Sequence, residues 1–162
     1  MDSYLERILT TLGERDPIQV LQATPRRLQE YLEAFPEEHL ERSYAPGKWS
    51  VREILAHLAD IELAMGFRLR QGLAEENVTL RVLDQDRWAA CYSRLEPTLA
   101  VEAFRGLRAW NLALLATFSL DDWLKEVFHP ERGPESLDLM VRFLAGHDLN
   151  HLAQLEAIAA GL

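Results

Sequence analysis

Apolar residues along this chain recur at steps of three and four, and β-branched residues are sparse, so the pattern predicts helix nearly throughout. The strongest start signal is Ser50-Val51-Arg52-Glu53, a capping box placed before the series Ile54, Leu55, Leu58, Ile61, Met65 and Leu69. That helix is expected to end near Gln71-Gly72. Upstream, the segment up to Phe35 predicts a short helix and then a second one starting at Thr24-Pro25, with Thr24 as cap and Pro25 in the first helical position. Pro36, Pro46 and Gly47 break the chain before Trp49. After a polar stretch from Ala74 to Asp86, a short helix is expected around Trp88. Ser93-Arg94-Leu95-Glu96 is expected to open a third long helix through Leu99, Phe104, Leu107, Leu114, Leu115 and Phe118. Residues 119–135, with Pro130, Gly133 and Pro134, are expected to form a loop, and a last helix runs from about Ser136 to Ala160. Four principal helices with connections of moderate length predict an all-α fold, an antiparallel four-helix bundle, with residues 1–162 as one domain.

Charge then narrows the partners. With 17 Lys and Arg against 26 Asp and Glu, the net charge is −9, which argues against nucleic acid or an anionic membrane as the main partner. A small-molecule substrate is the expected ligand. No window approaches the ~18 uninterrupted apolar residues of a membrane span. The N-terminal run MDSYLERILTTLGERD mixes acids and bases and has no apolar signal core. Cys91 is the single cysteine, which excludes an internal disulfide and a multi-thiolate metal cage. A cytoplasmic location is therefore expected, and any metal must rest on imidazoles and carboxylates.

Histidine spacing supplies the candidate chemistry. His147 and His151 stand four apart in the last predicted helix, roughly 40° around the axis and ~6 Å along it, so both imidazoles can reach one ion. Met140, Phe143, Leu144, Leu155 and Ile158 continue their stripe, which turns the pair toward the bundle interior. His57, between Ile54 and Ile61, falls at the margin of its helix's apolar face, where it can line a pocket without being entombed. Its spacing alone leaves a surface role open. His39, in the acidic run 37–41, and His129, before Pro130, read as solvated segment and loop. His147-Asp148-Leu149-Asn150-His151 is close to the H-E-x-x-H spacing of zinc peptidases, but Asp148 is one methylene short of the glutamate base.

Taken together, the stretches Gly47-Lys48-Trp49-Ser50-Val51-Arg52-Glu53-Ile54-Leu55-Ala56-His57-Leu58 and Gly146-His147-Asp148-Leu149-Asn150-His151-Leu152-Ala153-Gln154-Leu155 resemble the DinB-like superfamily of metal-binding four-helix bundles, which includes the YfiT-like proteins. The resemblance covers nearly the whole chain. It implies a three-histidine metal site of His57, His147 and His151, holding nickel, zinc, iron or a similar divalent ion, and a homodimer. It also implies an enzyme, since members with known chemistry include transferases and isomerases that depend on thiols such as bacillithiol or mycothiol.

Three neutral nitrogen ligands leave an open position on the ion, which favours catalysis over a purely structural role. Water or a thiol entering there becomes a nucleophile near neutral pH. The leading expectation is a thiol-dependent S-transferase. The alternatives are a metal-dependent hydrolase and a non-catalytic, metal-binding stress-response module. Asp60 and Gln154, each one turn from a candidate ligand, are the expected second layer around the site. Glu53 faces His57 but is accounted for by capping. Arg68 lies three turns below His57 on the same line and reads as exposed, with an anionic substrate as the functional alternative. Trp49, Trp88 and Trp110 read as packing residues.

Overall fold

The computed structural model describes residues 3–161. Among them are seven α-helices and one hairpin. The helices are α1 (Ser3–Leu12), α2 (Pro17–Ala34), α3 (Val51–Ala74), α4 (Gln85–Ala89), α5 (Pro97–Leu115), α6 (Leu120–Leu124) and α7 (Leu137–Ala160), and the strands are β1 (Glu126–His129) and β2 (Gly133–Ser136). The long helices α2, α3, α5 and α7 form a four-helix bundle: α3 packs on α5, α5 on α2, α2 on α7 and α7 on α3. The short α1 lies along α7. No helix among the described residues is long and apolar enough to cross a membrane.

Local chemistry sets the helix ends, and it moves two helix starts from their expected places. The helix α2 begins seven residues before Thr24, at Pro17, because Asp16 accepts from the Ile18 and Gln19 amides. Pro25 is thus inside the helix, where its missing N–H leaves the Leu21 carbonyl without its usual partner. Arg108 of α5 donates to that carbonyl at 2.9 Å, which is why the proline is tolerated. The helix α5 starts at Pro97 rather than Ser93, since a residue before proline is pushed to extended backbone and Glu96 sits at φ −78°, ψ 119°. Ser93 falls in a one-turn 3₁₀ helix, Tyr92–Arg94. By contrast, the Ser50–Glu53 capping box forms as expected, with Ser50 N donating to Glu53 at 2.8 Å.

The expected loop 119–135 is instead α6, capped by Ser119 and Asp122, followed by the hairpin, in which β1 pairs antiparallel with β2 from Glu126↔Ser136 to His129↔Gly133. Residues 78–80 add a third extended segment: Phe128 N donates to the Val78 carbonyl and Leu80 N to the Phe128 carbonyl, both at 2.8 Å. This small platform covers one end of the bundle.

The core is divided. One apolar cluster includes Leu21, Met65, Leu69, Leu115, Leu137 and Leu144, and the other Leu28, Ile54, Leu58, Phe104, Leu152 and Leu155. Every long helix passes from one cluster to the other through polar residues: Thr24, Glu62, Arg108 with Asn111, and His147 with Asp148, all buried. The candidate site is built at this level.

Candidate metal centre

Two helices bring the three histidines together. His57 comes from α3, and His147 and His151 from successive turns of α7. The α7 helix reaches this depth because Gly146 faces α1: a Cβ there would stand 2.3 Å from the Ile8 carbonyl oxygen. The Nε2 atoms of His57 and His151 lie 3.0 Å and 3.2 Å from that of His147. All three residues are buried, His57 to 1% exposure, so it is inside the bundle rather than at a helix margin. The Trp49 ring accounts for the difference, covering His57 at 4.5 Å between centroids and stacking on His151 at 6.0 Å and 15°.

The proton inventory shows what this geometry suits. Gln154 Oε1 lies 2.8 Å from His151 Nδ1, which places that ring's proton on Nδ1 and leaves Nε2 as a bare lone pair. His147 Nε2 faces this lone pair and His57 Nε2 at once, and a single proton on it serves only one of them well. Buried imidazoles are also held neutral. Burial, and then His151, push His57 down to about 2. Burial followed by the two other histidines holds His147 well below the usual range. Burial brings His151 to about 4 against the opposing pull of Gln154. Neutral nitrogens bound at ~2.1 Å to a common ion stand about 3.0–3.4 Å apart, which is the spacing of His147 Nε2 from each of the other two, and all three ligand atoms lie within 4.8 Å of one another. The residues present fit a divalent metal.

A family model of the DinB superfamily matches residues 21–155. The chain belongs to the DinB superfamily. A relative from Oceanobacillus iheyensis, named "Putative metal-dependent hydrolase", is 29% identical over 151 residues, covering 93% of this chain and 88% of its own. One from Bacillus cereus with the same name is 25% identical over 142 residues, covering 87% and 82%. Among solved structures, YfiT from Bacillus subtilis, described as "a probable metal-dependent hydrolase with an unusual four-helix bundle topology", superposes with a TM-score of 0.85. It is 24% identical over 90% of this chain and 85% of its own. A mycothiol-dependent maleylpyruvate isomerase shares the fold at a TM-score of 0.66 and 16% identity, over 96% of this chain and 63% of its own.

Around the three histidines of this DinB-superfamily chain, the other residues singled out in the sequence take different places. Gln154 touches the site directly, through His151. Asp60 does not: it accepts from Tyr92, whose buried ring lies 6.3 Å from that of His57. Burial raises the Asp60 carboxyl, with the Tyr92 hydrogen bond opposing, and burial followed by Asp60 pushes the Tyr92 phenol well up. Asp148 is turned away from the role a peptidase base would need. It is fully buried, and Arg108 Nη1 donates to its Oδ2 at 2.7 Å while Arg108 Nη2 donates to Glu62 at 2.7 Å. Asn111 also donates to Glu62, at 2.7 Å.

Two clefts lead to the site, and both include Tyr4, His57 and Gln85 in their walls. The first, of about 140 Å³, reaches His147 past Tyr92, Trp88 and Arg68. The second, of about 220 Å³, reaches His151 past Trp49, Lys48 and Gln154. His129 is a further correction: it is buried on β1 and lines the first cleft instead of lying in a solvated loop. No polar–apolar alternation in the sequence marks this strand, since apolar Phe128 is exposed while polar His129 is buried. His39 stays apart, in a one-turn 3₁₀ helix at Glu37–His39. Trp88 is a cleft wall, and Trp110 is 67% exposed with the Arg70 guanidinium 5.8 Å from its ring, so neither is a core packing residue.

Proposed function

We propose that His57, His147 and His151 hold one divalent ion, nickel, zinc or iron, and that the chain is a metal-dependent enzyme that transfers a low-molecular-weight thiol to an electrophile. The observation that carries this reading is the convergence of three neutral Nε2 atoms where two clefts meet. A divalent ion held there lowers the pKa of an incoming thiol or water and so supplies a nucleophile near neutral pH.

The chain's own residues do the remaining work. Gln154 fixes the His151 tautomer, so that Nε2 presents a lone pair. Trp49 and Tyr92 pack against His57 and keep bulk water from its ring. Among the described residues lining the two clefts, Glu131 is the one carboxylate, and it is exposed on the hairpin. Among the described residues lining the clefts, no carboxylate base therefore stands beside the histidines, and His129, with its Nδ1 lone pair taken by the Glu131 amide, presents an N–H there instead of a base. Hydrolysis gains from such a base, whereas a thiol is acidic enough to react without one. This favours thiol transfer over the second reading, a hydrolase, which the names of the relatives support. The mycothiol dependence of the solved isomerase agrees with the thiol reading.

A homodimer belongs to the proposal as well, with the exposed apolar side chains Leu63 and Phe67 of α3 and Trp110 of α5 as its candidate face. We place the protein in the cytoplasm, on its single cysteine and acidic charge.

The test is turnover of alkylating electrophiles and of activated esters by metal-loaded protein, each with and without added thiol. Thiol-dependent consumption of the electrophile that stops on chelation is expected. Ester hydrolysis independent of thiol would establish the hydrolase instead. Unfolding on chelation with no turnover of either class would favour the non-catalytic module.

A further inference from the structure

The first cleft contains a charge that the three histidines do not use. Arg68 of α3 is half-buried in its wall. Its Nη2 donates to the Arg81 carbonyl at 2.7 Å, and its Nη1 stands 3.9 Å from the Met65 sulfur. Among the described residues, no carboxylate lies within salt-bridge distance of it. The neighbouring cation is different. Arg132 is engaged by Glu135 through both Nε and Nη2, and its guanidinium lies 5.4 Å from the Phe143 ring. Burial, and then Arg132, hold Arg68 below the ordinary arginine range, against the smaller opposing pull of Glu135, which is itself engaged by Arg132. Arg27, Arg70 and Arg142 are also half-buried without a salt bridge, but of these four arginines Arg68 is the one that lines a cleft leading to the histidines.

His129 completes the arrangement. Its Nδ1 accepts from the Glu131 amide at 3.2 Å, which leaves Nε2 as the N–H donor of a ring that lines the same cleft. We infer that this end of the cleft is a carboxylate subsite, in which Arg68 and the His129 Nε2–H bind the carboxylate of a small aliphatic ligand whose other end reaches His57 and His147. The identity of the reactive end rests on the proposed function; the carboxylate subsite does not. Arg68 follows His57 by eleven residues on α3, about 16 Å of helix rise, and helical side chains lean back toward the N-terminus. A ligand several bonds long fits that interval.

Titration calorimetry on zinc-loaded protein with 4-mercaptobutyrate and 4-mercaptobutanol tests this, because the two share a thiol and a chain length. The carboxylate is expected to bind about ten- to a hundredfold tighter, the range for a hydrogen bond to a charged group. Arg68→Gln should remove the preference and leave the alcohol unchanged, and Arg68→Lys should keep part of it. Equal affinities in the parent, or a preference that survives Arg68→Gln, would overturn the subsite. Glutarate, which has no thiol, is titrated into chelated protein as the metal-independent arm. If glutarate binds in an Arg68-dependent way, 4-mercaptobutyrate binds loaded and chelated protein alike and 4-mercaptobutanol binds neither, the subsite stands and the three-histidine reading fails. If both thiols bind equally and glutarate does not bind, the reverse holds.

Discussion

A buried imidazole is stable only while it is neutral, and at this site three share the constraint. Each has a folded pKa below the ordinary value near 6.5, so the native state binds fewer protons than the unfolded chain. The sign follows: stability of the metal-free protein is full above about pH 6.5 and falls as acid protonates the unfolded state, down through His151's value of about 4. Between pH 7.5 and 5.5 each histidine should cost about 1.4 kcal/mol, measured by denaturant unfolding of chelated protein. A stability that stays flat over that interval would mean the rings are not buried as described. Gln154 acts on the same atoms. Gln154→Leu should lower metal affinity about 10- to 100-fold, read by competition with a chromophoric chelator, while the helix content by circular dichroism is unchanged.

The elements place these residues by devices that were only partly legible in the sequence. The Ser50 capping box and the i, i+4 histidine pair are local, and local spacing predicted both α3 and the position of α7. The start of α2 was misplaced because Thr24-Pro25 carries the signature of a helix start, yet Arg108, 83 residues later, supplies the donor that lets Pro25 sit inside. A contact between distant residues of that kind has no trace in a window of sequence. The hairpin was missed for a related reason: four-residue strands are too short to show alternation, and their pairing with residues 78–80 is non-local. His57, His147, His151 and Gln154 were singled out from the sequence, whereas Tyr92 and His129 were hidden because nothing local marks a cleft wall. Two substitutions test the helix contacts. Arg108→Met leaves Glu62 and Asp148 as buried, unpaired carboxylates and the Leu21 carbonyl unsatisfied, and should cost about 3–5 kcal/mol by urea unfolding. Gly146→Ala sets a methyl against the Ile8 backbone and should cost about 1–3 kcal/mol, by lifting α1 from α7.

At the scale of the whole molecule, two apolar clusters clamp a buried polar layer, and the histidines occupy its cleft side. Apolar packing above and below holds α3 and α7 in register, so the three Nε2 atoms are positioned before any ligand arrives. The bundle also presents Leu63, Phe67 and Trp110 to solvent. Light scattering is expected to give twice the mass of one chain, and a monomer across a broad concentration range would contradict the proposed dimer. The central claim is narrower, that one divalent ion sits on His57, His147 and His151. X-ray absorption at the metal edge of stoichiometrically loaded, tag-free protein addresses it most directly. Three imidazole nitrogens at about 2.1 Å are predicted in the parent, and a smaller imidazole shell or no retained ion in His147→Ala. A shell of oxygen scatterers alone in the parent, or a shell unchanged in His147→Ala, would contradict it.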